Sequence, residues 1–237
     1  ELKVRYKSTA LGYLWSIANP LAYSLLYFLI FKFIMKVKVD NYPVFIISGM
    51  FPWQWIANSI GVGPMTFLGN APLIKKVNFP RYTLNLVVAG QDMIHFLASI
   101  PIIIVSLLWF KTTPSLSWII GIPLFCIIQL ILTYSLNLII SSINLFFRDT
   151  EKLIQIAMTF LFYFTPVFYE VKMVPEKYQN FVFLNPTSAL IVGWRDLFLH
   201  SKVSINMALI SLTWSIFFLI IAQFTYKKLS WRFAEIL

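Results

Sequence analysis

The chain has 237 residues, of which 59% are hydrophobic and only 12% charged, with a mean hydropathy of +0.78 and a formal net charge of +10. There is too little polar side chain to cover a soluble globule, so the bilayer must be the solvent for most of this surface. Lys and Arg are scattered between apolar runs and form no continuous stripe or arm, which excludes nucleic acid as the intended partner and reads as the flanking charge of membrane segments.

Six apolar stretches set the architecture: Ile17 to Met35, Val44 to Gly63, Leu84 to Phe110, Trp118 to Phe147, Leu153 to Tyr169 and Asn206 to Tyr226. Each is near or above the roughly 20 residues that cross a hydrocarbon core about 30 Å thick. Runs this long and unalternating satisfy their backbone as helices, not as barrel strands. The predicted fold class is therefore an all-α membrane protein of six transmembrane helices, a single domain over residues 1–237. On alternate sides of six spans, the Lys and Arg residues grouped with the termini (Lys3, Arg5, Lys7, Lys75, Lys76, Arg81, Arg148, Lys152, Lys227, Lys228, Arg232) outnumber the rest. That places both termini in the cytoplasm, although Lys32, Lys36 and Lys38 run against it.

In chain order, residues 1–16 interleave Leu2, Val4, Leu11, Leu14 and Trp15 with Lys3, Arg5 and Lys7, which predicts an amphipathic interface helix, with a solvated flank as the alternative. The chain opens on Glu1, so sequence upstream is expected. This segment lacks the short apolar core of a signal peptide, and targeting is expected from the spans. Asn19-Pro20 stands at the mouth of the first span, where proline is tolerated in a first turn.

Residues 64–82 form the second loop, with Gly69, Asn70, Pro72 and Pro80 as breakers around Leu73-Ile74-Lys75-Lys76-Val77. One short basic helix fits there, either as a handle for a soluble partner or as an ordinary structured loop. The third and fourth spans, at about 40 to 45 Å, exceed the core and must tilt, kink or project, with Pro101 and Pro123 as kink candidates. Arg148-Asp149-Thr150-Glu151-Lys152 makes a tight polar turn on the cytoplasmic side.

Between the fifth and sixth spans, residues 170–205 contain two apolar runs too short to cross, Phe181 to Leu184 and Ala189 to Leu199, separated by Asn185-Pro186-Thr187. A re-entrant or interfacial helical hairpin is expected. The rival, a seventh span, would have to contain Asn185-Pro186 and Arg195-Asp196. Neither an internal repeat nor inverted symmetry is apparent.

Catalytic motifs are missing. No G-x-x-x-x-G-K-[ST] occurs, since Gly61, Gly63 and Gly69 have neither the spacing nor the lysine. His95, His200 and Cys126 are too scattered for a zinc site, and the lone cysteine forms no internal disulfide. Asp92 and His95, at i and i+3 on the third span beside Gln91, form the one intramembrane ionisable pair. They read as a polar patch that holds helices together or, alternatively, as a proton relay. Aromatic residues are 18% of the chain, with 23 Phe, 11 Tyr and 8 Trp, more than two interfacial belts require. Asn19, Tyr23 and Tyr27 share a face of the first span, and Phe160, Tyr163 and Phe164 a face of the fifth. Ring faces suit a sliding carbohydrate, while lipid contact and helix packing are the plainer use.

The run Val4-Arg5-Tyr6-Lys7-Ser8-Thr9-Ala10-Leu11-Gly12-Tyr13-Leu14-Trp15-Ser16-Ile17-Ala18-Asn19-Pro20 resembles the approach to the first span in polysaccharide-exporting ABC permeases of the ABC-2 type. Further matches are Pro52-Trp53, the stretch Asn70-Ala71-Pro72-Leu73-Ile74-Lys75-Lys76-Val77-Asn78-Phe79-Pro80, Phe147-Arg148-Asp149, Thr165-Pro166-Val167-Phe168-Tyr169 and Leu184-Asn185-Pro186. The resemblance implies a non-catalytic six-span subunit in the bacterial inner membrane that pairs with a second copy of itself and with two nucleotide-binding ATPase subunits. ATP and Mg would bind those partners and no cofactor this chain. It implies that the interface helix (Arg5, Lys7) and a coupling helix within residues 64–82 (Asn70, Leu73, Lys75, Lys76, Phe79) touch the ATPase, with Arg148 and Asp149 at the cytoplasmic turn. The first and fifth spans would line the path, and the 170–205 hairpin (Asn185, Pro186, Arg195, Asp196) would gate its far side. The expected cargo is an undecaprenyl-linked, O-antigen-like polysaccharide, with teichoic-acid and capsule exporters as near relatives. Two other classes are a proton-coupled secondary transporter using Asp92 and His95, and a polyprenyl-lipid transferase, for which no paired-carboxylate or metal site is evident.

Overall fold

The computed structural model describes residues 15–34, 41–110 and 114–233, and every regular element among them is helical. Helix α1 (Trp15–Phe28) runs on into a π-helical turn, Leu29–Ile34. There follow α2 (Tyr42–Val62), α3 (Met65–Leu68), α4 (Ala71–Lys76), α5 (Thr83–Trp109), α6 (Ser117–Asn144) and α7 (Thr150–Phe164). A 3-10 turn at Val171–Met173 precedes α8 (Glu176–Val182), α9 (Ser188–His200), α10 (Ile205–Leu229) and a last 3-10 turn, Ser230–Arg232.

Three of these helices are long and apolar enough to cross a membrane: Thr83–Trp109, Ser117–Asn144 and the continuous run Ile205–Arg232. Helices α1, α2 and α7 stand where the other three spans were expected. The predicted interface helix over residues 1–16, with Arg5 and Lys7, lies outside the described residues apart from its last two positions.

Helix α2 is the centre of the bundle. It is predominantly apolar and buried over most of its length, and packs against α1, α5, α6, α7 and α9. Phe45, Ile46, Met50, Trp55, Ile56 and Ile60 are all buried. Helix α10 is different: its only buried positions are Ala208, Ser211, Ser215 and Ala222, one stripe of small residues packed on α6, and Ser215 Oγ donates to the Ile128 carbonyl at 3.1 Å. Between helices in lipid, small side chains allow the close packing that supplies the attraction. Two glycines serve the same end where α9 meets α6. A Cβ on Gly121 would overlap the Leu197 side chain, and one on Gly193 would lie 2.5 Å from the Phe125 ring.

A line of polar side chains along α6 bolts the bundle. Gln129 donates to the Pro52 carbonyl at 2.8 Å and accepts from Trp194 Nε1 at 2.7 Å. Asn137 donates to the Ser59 carbonyl and accepts from Thr66; Ser141 donates to Asn85; Asn144 donates to the Pro64 carbonyl. Hydropathy alone conceals this line, because each amide sits among Leu and Ile.

Several sequence expectations need correction. The helix that stands where the fifth span is expected, α7, ends at Phe164, not Tyr169, and starts at Thr150, so at 15 residues it is about 22 Å long. Thr165 is extended (φ −88°, ψ 134°), as a residue before proline prefers. The 64–82 loop contains two short helices, α3 and α4, instead of one. Helices α5 and α6 continue on both sides of Pro101 and Pro123, so neither proline ends its helix.

Candidate functional site: an aromatic cleft between α1, α2 and α7

Met50, Trp53, Gln54 and Ala57 fall at i, i+3, i+4 and i+7 on α2 and so share one face. With Tyr23 and Tyr27 of α1 and Phe162 of α7 they line a cleft of about 210 Å³. The Phe162 ring centroid is 5.3 Å from both Tyr27 and Trp53, and Phe168 stacks beneath Tyr27 at 6.1 Å. Tyr23 is 49% exposed, so the cleft opens to the outside of the single chain along α1.

Next to the cleft, where Phe168 meets Tyr27 and Phe162, the chain breaks at Thr165-Pro166. There the chain leaves α7 and tucks Val167 and Phe168 inward, both buried. Four groups hold the tuck. Arg195 Nη2 donates to the Val167 carbonyl at 2.7 Å while its guanidinium lies 3.7 Å from the Phe45 ring centroid. Tyr42 donates to the Phe168 carbonyl at 2.7 Å. Asn185 Nδ2 donates to Thr165 Oγ1 at 2.9 Å, and the hydroxyls of Thr165 and Thr187 are 2.7 Å apart. Asn185 Oδ1 also accepts from the Thr187 amide at 3.0 Å, so one side chain shapes the start of α9 and pins the end of α7. A Cβ on Gly49 would come within 2.8 Å of the arginine and 3.1 Å of the Val167 carbonyl, so the α2 backbone must pass bare there. Tyr169, just beyond the tuck, donates to the Phe164 carbonyl at 3.0 Å; burial raises its pKa above 10 and the charge of Arg195 partly offsets this.

Behind the cleft, between α2 and α5, is a much smaller polar cavity of about 20 Å³, room for one water. Gln54 and Asn58 face it from α2, Asp92, His95 and Ser99 from α5. Ser59 Oγ donates to Asp92 Oδ2 at 2.8 Å, and Trp55 Nε1 donates to the Ala89 carbonyl at 3.1 Å. Asp92 is thus tied across the α2–α5 interface, the arrangement of a polar patch that fastens two helices.

The expected path residues divide. Tyr23 and Tyr27 line the cleft. The side chain of Asn19 lies outside what is described. Phe160, Tyr163 and Phe164 are all exposed on α7, and of these Tyr163 reaches the cleft indirectly, 5.4 Å from Phe162 and 5.9 Å from Phe168. Phe162, Trp53 and Gln54 were not singled out as lining residues; Pro52-Trp53 was the available signal.

In the loop, Leu73, Lys75 and Lys76 are exposed and Ile74 is buried with Phe67, Leu138, Leu145 and Phe233, a second apolar cluster that Phe79 joins. Asn70 donates to the Thr66 carbonyl at 2.8 Å. Arg148 and Asp149 are exposed at the turn before α7. In the hairpin, Asn185 and half-buried Pro186 lead into α9, Arg195 points inward, and Asp196 points away to meet His200 at 3.3 Å. Among the described residues no group of three His, Cys, Asp or Glu is placed to hold a metal ion.

A family model described as ABC-2 type transporter matches residues 1–199. An O-antigen export system permease protein, RfbA, of Klebsiella pneumoniae is 44% identical over all of this chain and 92% of its own length. RfbA of Myxococcus xanthus is 30% identical over 86% of this chain and 78% of its own length. The polysialic acid transport protein KpsM of Escherichia coli is 25% identical over 88% and 82%. A helical bundle with membrane-crossing helices, a match over most of its residues and a full-length relative at 44% identity together settle the family: the chain belongs to the ABC-2 type transporter membrane proteins.

Proposed function

We propose that this chain is the membrane subunit of an ABC exporter that carries an undecaprenyl-linked, O-antigen-like polysaccharide from the cytoplasm across the inner membrane, powered by ATP hydrolysis on a separate subunit. The observation that carries this reading is the aromatic cleft joined to a full-length relative named for O-antigen export. The polysialic acid transport protein is more distant, which favours O-antigen over capsule as cargo. Aromatic faces offer a sugar chain apolar contact without a fixed set of hydrogen bonds, so successive repeats can slide past.

On this reading α1, α2, α5, α6, α7 and α10 are six spans with both termini in the cytoplasm. Two copies come together through the exposed faces of α1 and α7, so that the clefts face a shared path. The exposed side of α4, with Leu73, Lys75 and Lys76, meets the ATPase, together with Arg5 and Lys7 upstream and Arg148 and Asp149 at the neighbouring turn. Closure of the ATPase on ATP and Mg acts only through contacts that differ between two arrangements of the spans, and α4 is where such a difference enters. The buried face of α4 transmits it, because Ile74 packs with Leu138 and Leu145 of the α6 end. Helices α8 and α9 close the far side, with Arg195 fixing the tuck next to the cleft. This chain itself performs no covalent chemistry.

The test is affinity purification of the tagged chain, co-expressed with its host's ABC-type ATPase subunits, in mild detergent. An ATP-hydrolysing polypeptide recovered in near-equal amount supports the reading. Recovery of the chain folded and alone, in repeated preparations, refutes it.

A further inference from the structure

Gln54 and Asn58, one turn apart on α2, stand between the two spaces described above. Gln54 lines both the aromatic cleft and the polar cavity, and Asn58 lines the cavity. Gln54 Nε2 donates to Asn58 Oδ1 at 2.7 Å. An amide has one acceptor oxygen and one two-hydrogen nitrogen, so this bond leaves the oxygen of Gln54 and the nitrogen of Asn58 uncommitted among the described residues. Exchanging the O and N of both amides gives the same complement, one acceptor and one donor side by side. Fastening α2 to its neighbours is done by other side chains: Trp55 and Ser59 bond α5, and Gln129 and Asn137 reach α2 from α6. Two amides in a membrane helix that bond each other and turn their remaining capacity to open space are explained by a polar ligand.

We infer that Gln54 and Asn58 form the hydrogen-bonding edge of a one-ring carbohydrate subsite whose apolar wall is Trp53, Tyr27 and Phe162. This rests on the polysaccharide-export reading and adds to it a point of selection. The cleft, at about 210 Å³, is small beside the roughly 300 to 1,000 Å³ of pockets that enclose drug-sized ligands, which suits it to one ring of a chain that continues outside it. With the ring's face against the aromatics, one hydroxyl on its edge donates to the free oxygen of Gln54, and its neighbour is reached from the nitrogen of Asn58 across the small cavity, which Asn58 lines and the ring does not enter. The relative configuration of those two hydroxyls is what the site reads. That cavity has room for one water, which would bridge the second hydroxyl to Asn58.

The experiment uses the whole permease–ATPase complex in lipid nanodiscs and measures ATP hydrolysis against the concentration of the host's own purified lipid-linked polysaccharide. Gln54→Leu and Asn58→Leu are each expected to raise the half-stimulating concentration about tenfold while changing the maximal stimulated rate less than twofold. The exchange Q54N/N58Q keeps one donor and one acceptor and is expected to stay within threefold of wild type. Ala57→Phe, which fills the cleft while leaving both amides in the sequence, should raise the half-stimulating concentration at least as far as Gln54→Leu. An unchanged half-stimulating concentration in both Leu variants overturns the subsite while leaving export standing. A wild-type complex that the polysaccharide does not stimulate at all overturns the export reading and the subsite with it.

Discussion

Gln129 on α6 joins three helices through one side chain, and its bond to Trp194 can be measured in isolation. Both residues are fully buried, at 0% exposure. Gln129→Met keeps the length of the side chain and removes its amide, so Trp194 Nε1 is left in the core without the acceptor now 2.7 Å away. A buried donor orphaned in this way costs about 1–3 kcal/mol. Trp194→Phe removes the donor and also thins the stack with Phe96 (4.8 Å), Phe198 (5.3 Å) and Phe125 (5.5 Å), so it should cost more than Gln129→Met. In the double variant neither partner is orphaned, and the ring loss is common to both legs of the cycle. The double variant is therefore expected to be more stable than the sum of the singles by about 1–1.7 kcal/mol, the upper part of a distribution for hydrogen bonds between membrane helices that averages about 0.6 and reaches about 1.7 kcal/mol. The assay is loss of helicity on denaturant titration in mixed micelles. Additivity within about 0.5 kcal/mol would refute the claim that this bond, and not ring packing alone, docks α9 on the bundle.

Other outcomes follow from the same contacts. Leu73→Asp with Lys76→Glu should abolish export while the chain stays inserted and dimeric, because both side chains are exposed; Ile74→Asp should instead lower the yield of folded protein, since that side chain is buried. Surface polysaccharide and detergent-extracted yield distinguish the two. Asp92→Asn keeps a group able to accept from Ser59, so export should persist with reduced yield, and complete loss of export at normal yield would restore the proton-relay alternative. Gly121→Val should destabilise by about 1–3 kcal/mol through overpacking against Leu197, read as a lower thermal midpoint by size-exclusion chromatography.

The long apolar runs were read within one to three residues as α5, α6 and α10, because nothing in them competes with a buried helix. The end of α7 was also available in the sequence: Thr165-Pro166 opposes helix continuation, but hydropathy carries on through Val167-Phe168-Tyr169 and hid the break. The helix α3 was missed because Met65–Leu68 is a single turn between Pro64 and Gly69, too short for any periodicity. Arg195-Asp196 counts in the sequence against a seventh span but does not show which of the two is buried; successive helical residues point about 100° apart, so Arg195 enters the core and Asp196 meets His200. For a related reason the sequence does not show that Phe162 enters the cleft while Phe160, Tyr163 and Phe164 stay on the exposed side of α7. With aromatics crowded at the end of α7, rotation of the helix about its axis is fixed by Trp53 and Tyr27 across the cleft, which no local pattern reports. The polar line along α6 is invisible to hydropathy, since its acceptors are mostly backbone carbonyls of other helices.

The central claim is tested most directly by translocation in sealed vesicles that contain the chain with its ATPase, loaded with radiolabelled lipid-linked polysaccharide on the nucleotide-accessible side. Transfer to the protected side that requires hydrolysable ATP and Mg and is indifferent to a protonophore is the result predicted here. Transfer that continues without ATP and stops when the proton gradient is collapsed would contradict it.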